Sequence, residues 1–169
     1  MPSMIDHVVI VVRDLARAAA DYAQLGFTVT PGGEHTGGGT HNALIAFADG
    51  SYLELIAFRR PDTPQDHPWW AKLARGEGLA DYALLCDDLT ADLDAAQERG
   101  LDAGPPEAGG RQRPDGQRVE WRNASLPPGR GRSALPFLIE DVTPRALRVA
   151  GPPATEHALG MTVVAGLTV

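Results

Sequence analysis

The chain has 169 residues, 43% hydrophobic and 22% charged, enough to bury a core without disulfide or metal staples. Its formal net charge of −7 argues against nucleic acid or an anionic membrane as partner, since either needs a basic face. One cysteine, Cys86, permits no intramolecular disulfide and fits a reducing cytoplasm; no apolar run reaches the ~20 residues that span a bilayer, and the first residues lack the layout of a secretory signal.

Taken in order, residues 5–12 are rich in Val and Ile and predict a strand buried on both faces, carrying His7. Asp14 is placed to cap a helix whose apolar residues, Leu15, Ala18, Ala19, Tyr22 and Leu25, recur at helical spacing until Gly26. Phe27 to Thr30 predicts a short strand stopped by Pro31, and Gly32 to Thr40, with five glycines, a loop. A hairpin follows: a strand from Ala43 to Phe47, the turn Ala48-Asp49-Gly50-Ser51, and the return strand Tyr52 to Phe58.

Residues 61–78 are a proline-containing linker with a short helix that begins near Pro68 and carries Trp69 and Trp70. A second series then repeats the first. It has a strand over 79–86, a helix capped by Asp88 and stopped by Gly100, and a weak strand over 101–110. Residues 117–123 alternate as another strand, and 135–139 form the last of the series. Leu15 falls on Leu89 and His7 on Asp81, an offset of 74 positions. Duplication of one unit predicts a pseudo-symmetric core with a cavity between the copies. Residues 143–158 show no period, and Met161 to Val169 predicts a further strand, either capping a sheet edge or exchanged with a second chain in a homodimer.

Glu54 is the most informative residue on physical grounds. An ionised carboxylate in the strand Tyr-Leu-Glu-Leu-Ile must be paired, metal-bound or cavity-facing, because burying it alone is too costly. His7 is either a core histidine bonded to a neighbour or a cleft-facing group. Asp6 beside it is expected on the opposite face, as a cap or loop partner. Arg111, Arg113, Arg118, Arg122, Arg130 and Arg132 make the second half locally basic. They are a solvated loop face or an anchor for a ligand carboxylate or phosphate.

The segments "DHVVIVVRDL", "GGEHTGGGTHNALIAF", "DGSYLELIAF", "RPDGQRVEW" and "LPFLIED" together resemble the glyoxalase-like branch of the vicinal oxygen chelate superfamily, over residues 5–140. The resemblance implies an α+β fold in which two tandem βαβββ modules, residues 1–60 and 79–142, form a curled mixed sheet around a central cleft, with a tail over 143–169. It implies a divalent metal (Mn, Ni, Zn or Fe) at His7, Glu54 and Asp81, the superfamily's second histidine being replaced by Asp81 and its second glutamate by Phe137. Glu54 is the implied catalytic group, and Thr40, Asn42, Tyr52, Trp121 and Phe137 are the implied substrate contacts. Two activities are then open: a metal-dependent lyase, isomerase or dioxygenase acting on a small oxygenated metabolite, or a metal-free module that sequesters a drug or metabolite.

Overall fold

The computed structural model describes residues 4–126 and 135–168; Arg130, Arg132 and Val169 lie outside the described residues. The first series forms β1 (Met4–Val12), α1 (Leu15–Gln24), β2 (Thr30–His35), β3 (Thr40–Ala46) and β4 (Tyr52–Phe58). After α2 (Trp70–Arg75) the second forms β5 (Gly78–Leu85), α3 (Leu89–Glu98), β6 (Glu107–Gln112), β7 (Arg118–Ala124) and β8 (Phe137–Asp141), followed by α4 (Arg145–Arg148). Asp14 and Asp88 cap α1 and α3 as their spacing predicts, each carboxylate accepting a backbone N–H three residues on at 3.0 Å.

The eight strands close on themselves in the order β1-β4-β3-β2-β6-β7-β8-β5. β1/β4 and β5/β8 are parallel, and the other pairs are antiparallel. The halves therefore meet twice, at β1/β5 and at β2/β6. Register makes the duplication concrete: His7 pairs with Ala83 and Val9 with Asp81, so a two-fold operation exchanges His7 with Asp81 and Val9 with Ala83. The same operation maps Val9 against Glu54 onto Ala83 against Phe137. Asp81 and Phe137 are thus the counterparts of His7 and Glu54.

Strand alternation divides the core. Ile10, Ala43, Ile45 and Leu55 pack with Leu15, Ala18 and Tyr22 of α1 on the outer face. Leu89 and Leu93 of α3 cover Ala124 and Leu138 in the second half. Val9, Val11, Ile56 and Phe58 form an inner cluster, closed by Leu73, Trp69 and Trp70.

Three sequence expectations are corrected. β2 runs through Pro31-Gly32-Gly33, which composition marked as loop, and no strand precedes Thr30 after α1. The glycine is there for contact between halves: Gly33 has φ 135°, and a Cβ on it would lie 1.9 Å from the Gln112 carbonyl oxygen of β6. β6 starts only at Glu107, beyond Pro105-Pro106, which have no N–H for a ladder. The apolar end is not a strand over its described residues 161–168. It lies along its own first half: Ala48 N–H donates to the Thr162 carbonyl at 3.1 Å, and Met161 and Val164 pack on the outer core. A closed sheet has no free edge for it to extend.

Candidate functional site

The closed sheet surrounds a cleft of about 510 Å³. Strand alternation brings His7 of β1, Tyr52, Glu54, Ile56 and Phe58 of β4, and Thr40 of β3 to its wall from the first half. The second half supplies Arg111, Trp121 and Phe137, while Trp69 and His67 reach in from the linker. Of the residues implied by the resemblance, Thr40, Tyr52, Trp121 and Phe137 line the cleft, together with His7 and Glu54.

At its centre Glu54 stands between two imidazoles. His7 Nε2 is 3.5 Å from Oε2, and His35 Nε2 is 3.4 Å from Oε1. Asn42 is not on the wall. It stands behind the carboxylate, its Nδ2 donating to Oε1 at 2.7 Å. This fixes the amide, since the reverse rotamer would set two oxygens against each other, and it leaves Asn42 Oδ1 buried without a partner among the described residues. Burial alone pushes the Glu54 carboxyl up. The hydrogen bond and charge of His35, the charge of His7 and the Asn42 bond outweigh it and hold the group at about 2, so it is an anion at neutral pH.

His7 is held from behind by Asp6. Nδ1 lies 2.6 Å from Asp6 Oδ2, and the ring stacks on Tyr52 at 4.6 Å between centroids. Asp6, expected on the opposite face, is instead fully buried at the centre of an ion network. The register shifts between Ile5 and His7 opposite β5, and this irregularity takes Asp6 out of simple alternation. Arg148 clamps its carboxylate at 2.7 and 3.0 Å, Arg145 adds a bond at 2.6 Å, and both arginines also reach Asp141. Arg148 donates as well to the Tyr52 hydroxyl at 2.8 Å. Burial raises the Asp6 carboxyl, but the bonds from His7 and Arg148 and the Arg148 charge prevail and hold it far below the usual carboxylate range. An ionised Asp6 can only accept, so Nδ1 of His7 carries the hydrogen and Nε2 is the atom presented to the cleft.

The residues present do not fit the implied metal. Among the described residues no group of three His, Cys, Asp or Glu side chains is placed to hold an ion. His7 and Glu54 come together, but Asp81 does not line the cleft: the Trp69 indole N–H donates to its Oδ2 at 2.9 Å. Trp69 is thus a cleft residue that also packs on the inner cluster. His35 falls in the stretch that composition marks as loop, because glycines hide the strand that carries it. Sequence reasoning misses Arg145 and Arg148 altogether, because they lie in a stretch with no period.

Two strand–helix–three-strand repeats closed around a polar-centred cleft define a small-molecule-binding protein of the vicinal oxygen chelate architecture. The comparisons with known proteins agree. The sequence model described as "Glyoxalase-like domain" matches residues 5–169, and the chain belongs to that family. No curated protein matches it. Among solved structures it is similar to a hypothetical protein from Staphylococcus aureus, at 17% identity and TM-score 0.68. The match covers 85% of this chain, which spans only 61% of that one. It is similar to a variant of Streptomyces coelicolor methylmalonyl-CoA epimerase in complex with 2-nitronate-propionyl-CoA, at 26% identity and TM-score 0.60, over 84% of this chain and 99% of the other. The Mycobacterium tuberculosis methylmalonyl-CoA epimerase shares the fold at 22% identity and TM-score 0.56, over 81% of this chain and 87% of the other. Among the described residues no helix is long and apolar enough to cross a membrane.

Proposed function

We propose that this protein binds a small oxygenated metabolite in the cleft and moves a proton on it, as an isomerase- or lyase-type enzyme of its superfamily. The observation that carries this reading is the Asp6–His7–Glu54 arrangement: an imidazole fixed by a buried carboxylate at Nδ1, with Nε2 facing an anionic carboxylate inside the cleft. Such a ring takes a proton at Nε2 from a carbon next to a carbonyl, and Asp6 and Glu54 balance the imidazolium that forms. The electron pair left on carbon passes to the carbonyl oxygen, and in an isomerisation His7 returns the proton to the neighbouring carbon of the enediolate, whose hydroxyl proton moves to the enolate oxygen. His35, whose Nε2 is 3.4 Å from Oε1 of Glu54, lines the cleft and can hold that oxygen. No step runs through a metal, since His7, Glu54 and Asp81 are not gathered on one point.

The likeness to epimerases at about a quarter identity supports the same class of proton transfer. The test is deuterium exchange in D2O, followed by NMR, on a panel of 2-oxo acids, 2-hydroxy acids and acyl thioesters that includes methylmalonyl-CoA. Exchange catalysed by the wild type and lost in His7→Gln is expected. A ligand that binds and shifts the His7 and His35 resonances without any exchange would instead establish a sequestering module, the reading favoured by the aromatic lining of Phe58, Trp69, Trp121 and Phe137.

A further inference from the structure

Arg111 is 3% exposed and lines the cleft, yet no carboxylate among the described residues pairs with it. Its Nε donates to the Gly32 carbonyl at 3.0 Å and its Nη2 to the Arg148 carbonyl at 2.6 Å. These are the guanidinium's only hydrogen bonds among the described residues. Other arginines of this half have an anion each: Arg113 has Asp115, Arg118 has Glu120 and Arg122 has Glu140. Arg145 and Arg148 share Asp6 and Asp141, two cations for two anions. A guanidinium taken out of water without a counter-anion is held at a cost that a ligand anion would relieve. Burial indeed lowers the Arg111 pKa, and the charge of Glu54 only partly offsets this.

Its place in the sheet says what that anion lies beside. Arg111 is the direct cross-strand partner of His35 in the β2/β6 pair, so the two side chains share a face, roughly 5 Å apart at Cβ. We infer that Arg111 anchors a ligand carboxylate, so that the carbon and oxygen next to that carboxylate meet His35, Glu54 and His7. This rests on the cleft being the functional site, as proposed above. Two backbone carbonyls take two of the five guanidinium N–H groups, and the rest suit one planar carboxylate. A phosphate dianion would leave charge uncompensated next to the anionic Glu54. With Trp121, Phe137 and Trp69 on the walls, the ligand class is a 2-hydroxy or 2-oxo carboxylic acid with an apolar or aromatic body.

The experiment is a matched pair on the unaltered protein: calorimetric titration with 3-phenyllactate and with its uncharged amide, with inorganic phosphate as a third probe. The acid is expected to bind at least about tenfold more tightly than the amide. That preference should shrink to within about twofold in Arg111→Met and survive in part in Arg111→Lys. Arg111 also ties β6 to Gly32, so if a variant fails to fold the wild-type acid–amide ratio decides alone. Equal affinity of acid and amide, no binding of the acid at roughly 10 mM, phosphate binding more tightly than the acid, or an unchanged preference in a folded Arg111→Met protein each overturns the anchor. The ring ¹⁵N shifts of His7 and His35 separate this from the functional reading. If acid and amide bind equally but both move those rings, the anchor falls and the cleft chemistry stands. A preference that depends on Arg111 but leaves both rings unmoved keeps the carboxylate contact, and overturns both the placement beside His35 and His7 and the proton-transfer site.

Discussion

Replacing Asp6 by Asn removes one negative charge, and almost no volume, from a fully buried position. The amide cannot accept from His7 Nδ1 and from Arg148 and Arg145 together, bonds that run from 2.6 to 3.0 Å. Arg148, itself 1% exposed, would then share Asp141 with Arg145, two guanidiniums on one carboxylate. Breaking one partner out of a buried ion network costs roughly 3–5 kcal/mol. For a chain of this size each kcal/mol is worth roughly 2–4 °C, so Tm should fall by roughly 6–20 °C. The change should also reach the site. Without the anion behind it the His7 ring loses what fixes its hydrogen on Nδ1, and the hydrogen should redistribute toward Nε2, on the Glu54 side. Urea unfolding gives the first quantity and long-range ¹H–¹⁵N NMR of the imidazole the second. A loss below about 1 kcal/mol with an unchanged His7 tautomer would refute the reasoning, because the network would then carry neither stability nor orientation.

Acid should destabilise the fold in a defined window. Glu54 is lowered from 4.5 to about 2, so the stability it contributes is complete above its unfolded value and is lost as pH falls from about 4.5 through about 2. That contribution is at most about 3 kcal/mol, and Glu54→Gln should flatten this part of a stability–pH curve; an unchanged slope contradicts the carboxylate's pairing. Gly109→Ala would put a Cβ 2.2 Å from Trp121 Nε1, forcing the indole off the cleft wall. A shifted Trp121 indole N–H resonance and a loss of roughly 1–3 kcal/mol are expected, and an unmoved resonance would show that the wall is not packed as described. Cys86 is 3% exposed, and burial together with the bond to and charge of Asp92 pushes its thiol up to about 12. Iodoacetamide at mildly alkaline pH should label it only after unfolding, so rapid labelling of the native chain would count against its burial.

Local patterns in the sequence determined much of this protein. Period-two apolar runs, the caps at Asp14 and Asp88 and the Asp49-Gly50 turn specify strands, helices and a hairpin, because each of these signals acts over a few neighbouring residues. The repeat, offset by 74 positions, survived into the register, with Asp81 as the true counterpart of His7. Glu54 was marked as a site residue because a carboxylate in an apolar strand needs a reason to be there. Tertiary structure alone decided how that reason is met. Asp6 finds Arg148 across 142 positions, His35 arrives at Glu54 on a strand disguised by glycines, and Trp69 holds Asp81 outside the cleft wall. Charge pairing depends on which side chains the closed sheet brings within a few ångströms, and nothing in a local stretch of sequence encodes that distance.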